Sequence, residues 1–258
     1  MSESYAPSGE MPFVQHLIEL RDRLLKMVLA ILLVLLVLMP FSQELFTLFS
    51  QPLQNLLLES AGNMVAIGPV SPFFTPFKLT LVLAIFAVMP YILYHFWAFV
   101  APGLYQHEKS IIFPLLVSST FLFYLGIVFA HYVVLPLVFG FMIYITPPGV
   151  VMMTDINLYL YFVLKLFFAF GLAFQVPIIT VVLIWMEFVT PESLAQKRAY
   201  IIVAAFIIGM LMTPPDIISQ TLLAVPIWLL FELGLFLGRM MLARRAAATK
   251  KQITRQDK

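Results

Sequence analysis

Six apolar runs, at 24–41, 76–99, 111–135, 158–186, 199–212 and 217–237, constrain this chain more than any other feature. A helix needs about 20 apolar residues to cross a hydrocarbon core of roughly 30 Å, and backbone in that core must satisfy its own hydrogen bonds. Of 258 residues, 62% are hydrophobic and only 11% charged. A compact soluble protein of this length cannot hide so much apolar surface. The expectation is an all-α polytopic membrane protein with six transmembrane helices. Disorder, nucleic-acid binding and a water-soluble enzyme are excluded together. There is no cysteine, so disulfides and thiolate chemistry are excluded as well.

Charge placement supplies an orientation. Of the 15 Lys and Arg residues, all but Lys78 and Lys165 lie in four places: Arg21, Arg23 and Lys26; Lys109; Lys197 and Arg198; and the tail 239–258. The opposite connections, 42–75, 136–157 and 213–216, contain none. The positive-inside rule then puts both termini in the cytoplasm and favours six spans over five. The basic start resembles a signal peptide, but no small-residue cleavage site follows Phe41, so an uncleaved first span is expected. The domain reading is one transmembrane domain over 1–238 and a basic cytoplasmic tail over 239–258. Pro90, Pro177 and Pro226 fall inside spans and predict kinks, hence a bent, concave bundle. In the long connection 42–75, Leu45, Leu48, Phe49, Leu53, Leu56 and Leu57 recur at helical spacing around Pro52. That pattern predicts two short amphipathic helices capping the outer side.

No phosphate-binding G-x-x-x-x-G-K-[ST] loop, H-E-x-x-H or G-x-S-x-G motif occurs. His16, His95, His107 and His131 lack metal-ligand spacing and read as interface or packing residues. No cofactor, no metal and no catalytic group is expected, so the chain reads as moving or recognising something. Two lysines within spans call for an explanation, Lys78 and Lys165. For Lys78, snorkelling and function weigh equally, whereas Lys165, among Phe162, Phe167 and Phe168, calls for an internal partner. Gln175, beside Pro177, also needs hydrogen bonds. Asp216 is placed to N-cap the last helix, and Glu187 and Glu232 read as interface residues. Near the N-terminus, His16, Glu19 and Arg23 share one helical face, opposite a stripe of Phe13, Leu17, Leu20 and Leu24. Glu19–Arg23 and Asp22–Lys26 have the spacing of ordinary i,i+4 pairs. With Glu108 in the loop that follows Phe99, two carboxylates and an aromatic suit a basic segment bound through bidentate guanidinium contacts. The residues alone leave these two readings open.

Five motifs in order resemble the TatC family: HLIELR at 16–21, SPFFTPFKL at 71–79, FVAPGLYQHE at 99–108, FGLAFQVP at 170–177 and TPPD at 213–216. The resemblance runs from His16 to Gly238. It implies the multispanning receptor of the twin-arginine translocase in the bacterial inner membrane. Such a receptor exports folded proteins on the proton-motive force and acts with TatB and TatA in homo- and hetero-oligomers. By that resemblance Glu19, Leu20, Arg21, Phe99, Tyr105 and Glu108 bind the twin-arginine signal peptide. Lys165, Gln175, Met210, Leu211, Thr213 and Asp216 form docking surfaces for partner helices. Pro52, Ser71, Pro72, Phe73 and Lys78 belong to a periplasmic cap. Gln175 stands where many members carry glutamate, so a hydrogen-bonding role carries over and a proton-titrating one does not. The rival reading is a proton-coupled secondary transporter of a small solute, suited by Lys165, Gln175 and the broken helices. No internal repeat supports it. The fifth run, 199–212, reaches only roughly 21 Å at 1.5 Å per residue. It implies a shallow wall at which lipid thins and a partner docks.

Overall fold

The computed structural model describes residues 10–59, 63–100, 112–147, 150, 153–212 and 217–256. It is built almost wholly of helices. In chain order these are α1 (Glu10–Leu38), a 3-10 turn (Met39–Phe41), α2 (Ser42–Glu59), α3 (Ser71–Val100) and α4 (Ile112–Phe129). A π turn (Ala130–Val134), α5 (Leu135–Ile145), α6 (Ile156–Ala173) and α7 (Val176–Trp185) follow, and then α8 (Pro191–Gln196), α9 (Arg198–Met212) and α10 (Ile217–Gln256).

Among the described residues, five continuous stretches are long and apolar enough to cross a membrane: Val14–Gln51, Ser71–Phe99, Phe113–Ile145, Ile156–Trp185 and Gln220–Arg244. The apolar helix Arg198–Leu211 is shorter, at the place where the sequence offers too few residues. The chain is therefore an all-α, multi-pass membrane protein.

The prolines act in three ways. Pro90 and Pro226 lie inside α3 and α10, which continue through them. At Pro177, where a kink was expected, the helix is interrupted. α6 ends at Ala173, Phe174 and Gln175 form a turn, and α7 restarts with Pro177 in its first turn, where its missing N–H leaves no ladder bond unmade. Pro136 behaves differently from its expected place in a loop. The π turn Ala130–Val134 widens the helix just before it, and α5 carries on to Ile145 with Pro136 in its first turn. One extra residue in a turn leaves space for the ring that an α-turn would exclude. In the long connection, the two expected amphipathic helices are a single helix, α2, that passes through Pro52 without a break.

Two three-residue strands, absent from the all-helical expectation, join the long connections. β1 (Asn63–Val65) pairs in parallel with β2 (Met153–Asp155), Asn63 opposite Met153 and Val65 opposite Asp155. Asp155 then caps α6: its Oδ1 accepts from the amides of Asn157 (2.9 Å) and Leu158 (3.0 Å), and its Oδ2 from the amide of Ile67 (3.0 Å). The Ile67 amide, foremost, holds this carboxyl below the usual carboxylate range. Burial opposes that shift, and the Leu158 and Asn157 amides add to it.

The chain forms two compact units, each assembled from separated segments. One comprises Met1–Phe49 and Pro76–Leu116, the other Ser50–Thr75 and Val117–Lys258. In the second, α10 packs along α7 and α9, with Leu223, Ala224, Ile227, Phe231 and Leu235 buried. Small residues let the helices of this unit approach. A Cβ on Gly126 would lie 2.6 Å from the Phe170 carbonyl oxygen, and one on Gly234 would lie 2.9 Å from Pro177 Cα. Membrane helices associate largely through such close packing, since lipid is as apolar as their own side chains.

Candidate functional site: a charged cluster joining α1 and α3

In the first unit, the polar face of α1 meets the last turns of α3. Arg23 reaches one turn back to Glu19, donating to Oε1 from Nε at 2.9 Å and from Nη2 at 2.5 Å. The same guanidinium extends to α3, with Nη2 donating to the Ala98 carbonyl and Nη1 facing His95 Nδ1, both at 3.4 Å. His16, one turn before Glu19, stacks on Phe99 with ring centroids 4.1 Å apart and planes 14° from parallel. Its Nδ1 lies 4.0 Å from Glu19 Oε2. One oxygen of Glu19 is thus committed to Arg23, while the other sits beside a flat aromatic stack.

The local sequence accounts for this arrangement. Spacings of three and four residues put His16, Glu19 and Arg23 on one face of α1. Tyr91, His95 and Phe99 recur every fourth residue and so line one face of α3. The expected pairing of Glu19 with Arg23 is present, and Glu19 and Phe99 meet through His16. Leu20 and Arg21 lie on exposed parts of α1. Arg21 bonds its neighbour Asp22, Nη2 to Oδ1 at 2.8 Å, so Asp22 pairs there and not with Lys26 as its spacing suggested. Tyr105 and Glu108 lie outside the described residues. His95, read as an interface or packing residue, is 7% exposed and also contacts Arg23. Its position one turn before Phe99 was the available signal.

The other described residues of the expected sites belong to the second unit, apart from Lys78 in the first. Gln175 is 6% exposed, its Nε2 donates to the Ser119 carbonyl at 2.9 Å, and its Oε1 is buried without a partner. Lys165 is half-buried, and its ammonium lies over the Tyr161 ring, 4.2 Å from the centroid, one turn back along α6. A cation–π contact of this kind is worth about 0.5–1 kcal/mol where it is exposed. Met210 and Leu211 are exposed at the end of α9, while Thr213 and Asp216 lie outside the described residues. Pro52 is within α2. Ser71 is buried at the start of α3, with Pro72, Phe73 and Lys78 exposed along its first turns. Arg198 of α9 is held by Glu232 of α10 through a two-pronged contact, Nε to Oε1 at 2.5 Å and Nη2 to Oε2 at 2.8 Å. Among the described residues, no group of three or more His, Cys, Asp or Glu side chains is placed to hold a metal ion.

Helices long enough to cross a bilayer and kept close by glycine define a polytopic membrane protein, with the carboxylate–guanidinium cluster of α1 and α3 as its candidate site. Residues 15–226 match the family model described as TatC, Sec-independent protein translocase protein. The chain is 54% identical over 239 residues to the Sec-independent protein translocase protein TatC of Azotobacter chroococcum mcd 1, which covers 93% of each chain. Against the TatC of Escherichia coli strain K12 the identity is 48% over 233 residues, 90% of each chain. A crystal structure of the twin arginine translocase receptor TatC in DDM matches with a TM-score of 0.80 at 38% identity, covering 86% of this chain and 99% of that one. This chain belongs to the TatC family and is a component of a Sec-independent protein translocase.

Proposed function

We propose that the chain is the core receptor of a twin-arginine translocase. It binds twin-arginine signal peptides together with TatB and organises TatA, so that folded proteins cross the bacterial inner membrane on the proton-motive force. In this reading the chain has six spans, with α9 as the short one, and both termini are cytoplasmic. The observation that carries it is the state of Glu19. Its carboxylate is fixed by Arg23 through one oxygen, and the other lies beside the His16–Phe99 stack, a surface on which a planar guanidinium can rest. Glu108, nine residues beyond Phe99, supplies the second carboxylate for a second arginine. Leu20, Arg21 and Tyr105 are assigned to the same binding role.

The exposed Met210 and Leu211, with Thr213 and Asp216 beyond them, form the docking surface for a partner's membrane helix, and Lys165 and Gln175 form the polar patch of that docking. The cap residues Pro52, Ser71, Pro72, Phe73 and Lys78 shape the periplasmic side.

The test is binding of synthetic Arg-Arg and Lys-Lys signal peptides to the purified wild type and the Glu108→Gln variant. Loss of one charge-assisted contact lowers affinity by about ten- to a hundredfold. The expected result is a loss of that size for the Arg-Arg peptide and a much smaller one for the Lys-Lys peptide. Equal losses for both would remove the arginine-specific role.

A further inference from the structure

Arg23 carries the link between α1 and α3, and the manner of its holding matters to Glu19. A guanidinium has five N–H donors and no acceptor. Arg23 directs two donors at Glu19 Oε1, one at the Ala98 carbonyl and one at His95 Nδ1. Because the guanidinium can only donate, Nδ1 is the acceptor, and the imidazole proton sits on Nε2. That Nε2 is buried with no partner. The ring is fixed edge-on by Tyr91 and Tyr94, at centroid distances of 4.4 and 5.4 Å. Space-filling alone does not account for such a residue, since an apolar side chain of similar shape avoids burying an unmatched donor.

We propose that His95 is a positioning residue for recognition of the cationic signal segment. By accepting from Arg23 it holds the guanidinium on Oε1 of Glu19 and leaves Oε2 open to an incoming guanidinium. The proposal rests on the receptor reading of Glu19 given above and adds the device that aims it. A planar guanidinium prefers to grip both oxygens of a carboxylate. Released from His95, Arg23 turns to that two-pronged grip on Glu19, and the site becomes occupied by its own arginine. The Ala98 carbonyl and the His95 ring together prevent this by pulling the guanidinium towards α3.

The test uses the full chain in detergent, a synthetic Arg-Arg signal peptide as probe, and the variants His95→Phe, His95→Gln, Arg23→Lys and His95→Phe with Arg23→Lys. Phenylalanine keeps the ring packing and removes the acceptor, whereas glutamine keeps an acceptor oxygen at similar reach. Affinity is expected to fall about tenfold in His95→Phe and to stay within about threefold of wild type in His95→Gln. In the Arg23→Lys background, His95→Phe is expected to add less than about a further twofold, because the shared contact is already gone. Wild-type affinity in His95→Phe, an equal loss in His95→Gln, or fully additive losses in the double variant would each overturn the proposal. Should His95→Phe fail to fold, as judged by its thermal midpoint, His95→Leu takes its place. A wild type that binds no Arg-Arg peptide overturns the receptor reading itself, an outcome distinct from a wild type that binds while the His95 variants match it.

Discussion

Gln175 Nε2 donates to the Ser119 carbonyl at 2.9 Å, which ties the break between α6 and α7 to the middle of α4. The bond joins a side chain to a carbonyl already inside a helical ladder, and the other end of the amide, Oε1, is buried and unmatched. Removing both polar ends at once therefore relieves one penalty as it forfeits one bond. Gln175→Leu is expected to shift the thermal midpoint little, a change within about 1 kcal/mol. If Gln175 serves partner docking as proposed, the same variant loses co-purification of TatB although it folds. A large drop in thermal midpoint would show instead that the amide is structural.

Gly126 and Gly140 give a matched pair of substitutions. A Cβ at Gly126 meets the Phe170 carbonyl oxygen at 2.6 Å, while one at Gly140 meets nothing within 4 Å. Gly126→Ala is expected to destabilise by about 1–3 kcal/mol, because the obstacle is backbone and cannot rotate away. Gly140→Ala is expected to be neutral or stabilising by up to about 1 kcal/mol from helix propensity. Thermal unfolding of the two variants in the same detergent checks the difference in sign.

Glu187 has φ of 60°, alone among the described non-glycine residues. It follows the C-cap of α7, with its amide bonded to Ile184 O at 3.1 Å and that of Phe188 to Leu183 O at 3.2 Å. Those two bonds make the helix-ending turn that glycine usually occupies. The side chain is exposed, so Glu187→Gly is expected to stabilise by about 0.5–1 kcal/mol through relief of the Cβ penalty. Glu187→Ala, which retains the Cβ, is the control and brings no such gain in midpoint.

Asp155 separates two roles by oxygen. Asparagine in its place keeps Oδ1 for the α6 cap but turns an N–H towards the Ile67 amide, so Asp155→Asn is expected to loosen β1 from β2 while α6 stays capped. Faster hydrogen exchange at Ile67, with Leu158 protected, is the readout. The folded carboxyl titrates below its unfolded value of about 3.9. The stability it contributes is fully present above that value and is lost as pH falls through the lower, folded one. The wild-type protection factor at Ile67, exchange measured against the intrinsic rate at each pH, is therefore flat across neutral pH and falls only below about pH 4, whereas in the Asn variant it is low throughout.

The sequence was a good guide where one local rule acts alone. Apolar run length marked the long apolar helices and the shortness of α9, and Pro177 marked a place where the helix ends and restarts with the proline in its first turn. Pro136 and Pro52 were misread for a reason that is not local. A π turn accommodates the first, and α2 continues past the second, and neither remedy has a signature of its own in the residues. The helical face of Glu19 was legible from spacing, as was its bond to Arg23. The reach of Arg23 to His95, 72 residues further on, was not. Spacing on one helix says nothing about which other helix lies opposite.

The pairing of β1 with β2 also bears on the order in which the protein is made. Ile67 and Asp155 are 88 residues apart, and α3, α4, the π turn and α5 all lie between them in the chain. Strands running in the same direction cannot zip from a tight turn and must wait for a long crossover to return. Closing a flexible loop of that length carries an entropic penalty of roughly 4 kcal/mol beyond its constant term, which three residue pairs and one carboxylate meet only after the intervening helices have packed. During synthesis the two strands therefore remain apart until the third apolar stretch has been inserted and α6 has begun. The Ile67–Asp155 bond becomes a timestamp within biogenesis, present in a chain that has completed this half and absent from one stalled before it.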